Sequence, residues 1–161
     1  MVILIMGVAG SGKTTVGRAL ASNLGWEFRD ADEFHPAANV AKMSAGQPLT
    51  DADRAPWLAA IRAYIDQTLA RRLHAVVTCS ALKESYRAVL LADPANVKLV
   101  FLTGDPALLA QRIAGRTDHF MKPGMLASQL AALEPPQHAL TVDIAGSPDR
   151  IVAEIRSAFS L

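Results

Sequence analysis

An α/β domain built on a parallel sheet is what this sequence predicts, and three observations predict it. Short β-branched apolar runs alternate with longer stretches of helical period from one end of the chain to the other. Most of those runs are almost continuously apolar, as strands buried on both faces of a parallel sheet are. Residues that start and stop helices fall in the gaps between them. The strand candidates are Val2 to Met6, Trp26 to Asp30, Ala75 to Cys79, Val97 to Thr103 and Leu140 to Ile144, so five parallel strands are expected.

Taken in order, the first helix should start at Lys13 and stop at Gly25, because glycine readily takes the left-handed conformation that closes a helix. Its apolar face would carry Val16, Leu20 and Leu24. A second long helix should follow Thr50, whose hydroxyl can cap free amides while Asp51 and Asp53 complement the positive end of the dipole, and it should run to about Arg72. Two more starts stand at Asp105-Pro106 and Ser147-Pro148, where a capping side chain precedes a proline whose missing amide costs nothing in the first turn. Between them lies RIAGRTDHFMKPG, polar, basic and glycine-containing, flanked by helical sequence and expected to be a mobile lid over about 112–124.

The 161 residues fit one domain, 1–161, with 51% hydrophobic and 19% charged residues giving enough apolar surface for a core. A net charge of +1, from 16 Lys+Arg against 15 Asp+Glu, provides no broad field for a nucleic-acid backbone, so no nucleic-acid partner is expected and any anion site must be local. The single cysteine excludes an intrachain disulfide and a cysteine-based zinc site, which favours a cytoplasmic location. No uncharged apolar run approaches the roughly 20 residues that span a bilayer, so no membrane role is expected. The apolar start MVILIM has no basic leader and runs straight into a glycine-rich loop, which identifies it as a strand.

That loop carries the chemistry. Residues 7–14 read GVAGSGKT, matching G-x-x-x-x-G-K-[ST] directly between a strand and a helix. Gly7, Val8, Ala9, Gly10, Ser11 and Gly12 would curl so that successive amides meet phosphate oxygens, with the helix dipole behind them. Lys13 would bridge the outer phosphates, the Thr14 hydroxyl would ligate the magnesium that accompanies nucleotide phosphates, and Thr15 would reach an inner phosphate. A nucleotide carrying Mg2+ is therefore the expected ligand of the loop. Neither the third strand, ending VVTCS, nor the fourth, ending FLTGD, has the apolar-run-plus-aspartate form of a Walker B element. Asp30 and Asp32 remain as candidate carboxylates, at the carboxyl end of the second strand, where open parallel sheets bind ligands. Arg112 and Arg116, four apart at a helix end, share one face from which they would neutralise phosphoryl charge when the lid closes and excludes water.

The blocks DADEFHPAANVAKMSAGQPLTDADRAPWL, TCSALKESYR, RIAGRTDHFM and SQLAALEPP, together with the loop, resemble the gluconokinase family of small P-loop carbohydrate kinases over nearly the whole chain. Departures are mild: Ala9 stands where the family often has Ser, Ala31 where Gly is usual, and Met125 where Leu is common. The resemblance implies a fold similar to nucleoside monophosphate kinases, with strand order 2-3-1-4-5, helices on both faces and a lid. It implies transfer of the ATP γ-phosphate to the 6-hydroxyl of D-gluconate, and a cytoplasmic homodimer. It also implies Asp32 as the group that orients and deprotonates the attacking hydroxyl, with Asp30 contacting that hydroxyl or holding a magnesium-bound water.

Gluconate carries a carboxylate and a row of hydroxyls, so its pocket needs a cation at one end and mixed donors and acceptors along its length. His35, Arg54, Lys83, Arg87 and His119 are the available basic groups, with Lys83 and Arg87 expected to face the cleft together; Ser80 and Gln129 join them because the resembling blocks contain them. Trp57 and Cys79 are assigned to packing. Two competing readings stay open: a kinase of the same fold acting on shikimate or a nucleoside monophosphate, and a nucleotide-dependent switch whose lid reports the bound state. The absence of an N-K-x-D-like string disfavours a GTPase switch.

Overall fold

In the computed structural model, which describes residues 1–115 and 124–161, the strands are β1 (Val2–Met6), β2 (Glu27–Asp30), β3 (Ala75–Thr78), β4 (Val97–Thr103) and β5 (Leu140–Asp143). They form one parallel sheet in the order β2-β3-β1-β4-β5, as expected. The described helices are α1 (Lys13–Leu24), α2 (Ala37–Ser44), α3 (Asp51–Ala70), α4 (Glu84–Leu90), α5 (Pro106–Ala114), α6 (Met125–Ala132) and α7 (Pro148–Phe159), with a 3-10 turn at Ala31–Phe34. Residues 116–123, the centre of the expected lid, lie outside the described residues.

The alternation of side chains along the central strand divides the core. Val2, Leu4 and Met6 point to one face, where they meet Trp57, Leu58, Ile61 and Ile65 of α3 and Leu90 of α4. Ile3 and Ile5 point to the other and meet Val16 and Leu20 of α1, Leu109 of α5 and Ile151, Val152 and Ile155 of α7. Every residue of β1 is fully buried, and each such aliphatic side chain contributes about 1.5–3 kcal/mol relative to exposure. Leu24 is only partly buried against the second cluster.

The expected helix ends are present. Gly25 closes α1 in the left-handed conformation. Thr50 caps α3 through a reciprocal pair: its hydroxyl accepts from the Asp53 amide at 3.1 Å while the Asp53 carboxylate accepts from the Thr50 amide at 2.9 Å. Asp105 and Ser147 cap α5 and α7 with proline in the first turn.

Three strands are shorter than expected, for local reasons. Trp26 is drawn out of β2 because its amide donates to Ala21 O at 2.9 Å, finishing the α1 cap, and its ring stacks on His74. Cys79 and Ile144 still donate to Ile5 O and Thr103 O but leave the paired ladder as the loops begin. β2 is an edge strand and alternates between exposed and half-buried positions, unlike the continuous burial of β1 and β3.

Candidate active site

The loop after β1 is shaped by two left-handed glycines, Gly10 at φ +80° and Gly12 at φ +84°. A Cβ on Gly10 would stand 2.8 Å from Leu109 O and 2.9 Å from an Ile113 carbon, so this position must be glycine both for its dihedral and for its packing against α5. The loop delivers Lys13 and Thr14 to the first turn of α1. Lys13 Nζ donates to Val8 O at 3.1 Å, and Thr14 Oγ1 donates to Asp30 Oδ2 at 3.0 Å.

Asp30 organises the end of β2. Its carboxylate accepts from the Asp32 amide while its own amide donates to Glu33, a capping arrangement that turns the chain sharply and sends Asp32 forward from the sheet edge. Behind this turn, Trp57 Nε1 donates to Ala31 O at 2.7 Å, anchoring α3 to the end of β2. The His35 ring stacks on Trp57, with centroids 4.5 Å apart and planes 8° from parallel. Burial pushes the His35 pKa below its ordinary value, Arg54 pushes the same way and Asp32 opposes them, so the ring is neutral at pH 7.

α2 and α3 are tied together at this edge. Lys42 donates to both oxygens of Asp53 at 2.8 Å, and with the Thr50 cap this lowers the Asp53 pKa to about 2. Arg54 Nη1 donates to Leu49 O at 2.7 Å and to Tyr86 Oη at 3.4 Å. The Tyr86 hydroxyl in turn donates to Asp51, which also pairs with Lys83 at 3.0 Å.

Part of this framework surrounds a cavity of about 740 Å³. One wall is the phosphate loop, with Ala9, Gly10, Gly12, Lys13 and Thr14. The opposite wall carries Asp30, Asp32, His35, Arg54, Trp57 and Ser80. Gln129 of α6 spans the rim, its Oε1 accepting from the Ala9 amide at 2.6 Å, so the helix that follows the expected lid is fastened to the phosphate loop.

Not every sequence-derived candidate reaches this cavity. Lys83 and Arg87 were expected to face it together, but neither is on its wall. Lys83 turns outward to Asp51, and Arg87 is buried with Nη1 donating to Ala81 O and Leu82 O at 2.9 Å, bracing the loop between β3 and α4. Their spacing put them on adjacent turns of α4, but which way that helix faces is set by packing. Arg112 Nη2 donates to Ile144 O at 2.6 Å, on the far side of the phosphate loop. There, with Gly10, Gly12, Thr15, Gly146 and Pro148, it lines a smaller cavity of about 220 Å³. Arg116 and His119 lie outside the described residues. Trp57 and Cys79 are core residues, as expected, and both also line the main cavity.

Sequence reasoning missed Asn39, a buried amide that contacts both His35 and the Asp53 carbonyl, and the Asp51–Tyr86 pair that holds Arg54. The spacing of His35 and Asn39, four residues apart, was the available signal for the first. Nothing in the sequence joined Tyr86 to Asp51.

A family model described as shikimate kinase matches residues 9–140. A gluconokinase of Gluconobacter oxydans is 46% identical over 95% of this chain and 88% of its own length. The crystal structure of a gluconokinase from Sinorhizobium meliloti superposes with a TM-score of 0.84 at 44% identity, covering 98% of this chain and 90% of that one. An unliganded sugar kinase from Janibacter sp. HTCC2649 superposes with a TM-score of 0.89 at 37% identity, covering 99% and 94%. With a nucleotide-type phosphate loop facing a carboxylate-bearing acceptor wall, and with likeness running through both, this chain belongs to the gluconokinase family, within the shikimate-kinase-like group of P-loop kinases.

Proposed function

We propose that this chain transfers the γ-phosphate of ATP to the 6-hydroxyl of D-gluconate, giving 6-phospho-D-gluconate and ADP. The observation that carries the reading is a single cavity with two unlike walls, backbone amides and Lys13 on one side and Asp32, His35 and Arg54 on the other. Donor and acceptor are thereby held face to face, and alignment is most of what phosphoryl transfer requires.

In the proposed reaction Asp32 orients the acceptor hydroxyl and takes its proton as the oxygen–phosphorus bond forms. The bond from the γ-phosphorus to the bridging oxygen breaks, and ADP leaves with the electron pair. Lys13 and the loop amides stabilise charge on the phosphoryl oxygens. Magnesium fits the pair Thr14 and Asp30, whose side-chain oxygens lie 3.0 Å apart beside the phosphate loop and suit a hard cation. When bound there it would neutralise phosphate charge. Arg112 serves the nucleotide from the far side of the loop, Gln129 and Ser80 complete the acceptor pocket, and Arg116 and His119, outside the described residues, keep the phosphate-neutralising and substrate-binding roles expected of them from the sequence.

For the acceptor carboxylate the assignment is Arg54. Lys83 and Arg87 do not line the cavity, and His35 is held below its ordinary pKa by burial, whereas Arg54 lines the cavity and its hydrogen bonds among the described residues, like its 3.8 Å pair with Asp51, engage Nη1 alone. A guanidinium has five N–H donors in a fork that matches a carboxylate. The reading extends to a homodimer in the cytoplasm; among the described residues no helix is long and apolar enough to cross a membrane. Light scattering on the purified chain checks the dimer.

The deciding experiment is ADP release with Mg-ATP and a panel of gluconate, other sugar acids, shikimate and nucleoside monophosphates, with Lys13→Ala as the blank. Gluconate should stand alone as the efficient acceptor. Turnover with another acceptor and none with gluconate would leave the ATP site intact and overturn the assignment, and slow acceptor-independent hydrolysis would favour a switch.

A further inference from the structure

His35 closes the 3-10 turn two residues before α2 begins, with its ring plane fixed by the stack on Trp57. Stacking does not decide which ring nitrogen carries the proton. Asn39 decides it. Its side chain is buried, the residue being 3% exposed, and its Nδ2 lies 2.8 Å from the Asp53 carbonyl oxygen. That oxygen only accepts, so the group facing it is the NH2 and the amide orientation is unambiguous. The same Nδ2 lies 3.3 Å from His35 Nδ1, within reach of its second hydrogen, and an NH2 group can only donate to that ring nitrogen. Nδ1 therefore accepts, and in a neutral ring the proton sits on Nε2. Nε2 in turn stands 3.9 Å from Asp32 Oδ1 at the cavity wall, too far for a direct hydrogen bond and wide enough for one oxygen to touch both.

We propose that Asn39 is a positioning residue that holds His35 as the Nε2–H tautomer, so that His35 Nε2–H and Asp32 Oδ1 together clasp one hydroxyl of a polyhydroxy acceptor. The hydroxyl oxygen accepts from His35 and its hydrogen is donated to Asp32. A protonated ring would set an N–H against the Asn39 NH2, so the arrangement requires the neutral form that burial also favours. The clasp gives the site a means of favouring acceptors that carry a hydroxyl at this point, since the buried His35 Nε2–H would otherwise lose that partner while the exposed Asp32 would not. Its hydroxyl-binding half rests on the acceptor reading above; its tautomer half does not.

The test is a two-bond 1H–15N correlation spectrum of the full chain labelled with 15N-histidine at neutral pH, with the His35 signals identified by their loss in His35→Gln. The expected pattern is a protonated Nε2 and a bare Nδ1. A proton on Nδ1, or on both nitrogens, overturns the proposal, and this readout needs no variant of Asn39 to fold. In steady-state kinetics, Asn39→Ala should raise KM for gluconate roughly tenfold, the loss of one well-placed hydrogen bond, and leave KM for ATP unchanged. A purely structural role for Asn39 would reduce the amount of active enzyme and leave both KM values alone, and that result also overturns the proposal. A wild-type chain inactive on gluconate would instead sink the acceptor reading, while the spectrum would still decide the tautomer.

Discussion

The two walls of the cavity are made in different ways. The phosphate wall is one consecutive stretch, residues 7–14, and its working groups are mostly backbone amides whose directions are set by glycine dihedrals. The acceptor wall is assembled from the end of β2, the start of α2, the first turns of α3 and the loop after β3, and its working groups are side chains. Several of those side chains are held by their neighbours: Trp57 by the Ala31 carbonyl, His35 by the Trp57 ring and Asn39, and Arg54 by the Leu49 carbonyl and the Tyr86 hydroxyl. Recognition of phosphate, a common anion, is encoded locally. Discrimination among acceptors needs directions that only tertiary structure supplies.

The comparison breaks most sharply at Asp32. Asp32→Asn keeps the shape of the acceptor wall and removes its proton acceptor, so turnover should fall by about 10²–10⁴ while ATP affinity, measured by calorimetry, is unchanged. Loss of ATP binding in that variant would mean the two walls are not separable. Next comes Arg54→Ala, expected to raise KM for gluconate by about 10- to 100-fold through loss of a charge-assisted pair, with KM for ATP constant. Lys83→Ala is its control: an exposed pair with Asp51 should contribute little, and an equal effect would return Lys83 to the pocket.

Gly10→Ala attacks the other wall. With φ at +80° and a backbone oxygen 2.8 Å from the added carbon, it should cost about 1–3 kcal/mol of stability and weaken ATP binding before gluconate binding. Equal weakening of both ligands would show that the loop also shapes the acceptor wall. The smallest effect is expected at Cys79, 2% exposed, its thiol pushed up to about 12 mainly by burial. A maleimide should leave it unmodified in the folded chain at neutral pH and label it fully in denaturant. Labelling of the folded chain at the rate of a free thiol would mean that the acceptor wall opens.

The same contrast governs what the sequence made legible. β1 and β4 have the expected bounds because buried parallel strands are continuous apolar runs, and the caps at Thr50, Asp105 and Ser147 are single-residue signals with local causes. The phosphate loop was legible for the same reason. α2 and α4, at eight and seven residues, are too short for periodicity to stand out, and they are the elements that aim Asn39 and Arg87. Of the candidates that line the cavity, His35 was singled out through family resemblance and Arg54 as an available cation near the start of the second long helix. The error at Lys83 and Arg87 came from knowing that two side chains share a helix face without knowing where the face points.

The most direct measurement is the phosphorus and proton NMR spectrum of the wild-type reaction with Mg-ATP and gluconate, followed to completion. A single phosphomonoester coupled to the C6 methylene protons, formed in step with ADP, is the predicted result. Inorganic phosphate without a phosphoester, or an ester at another carbon, would contradict the account of an acceptor wall built to present the 6-hydroxyl to ATP.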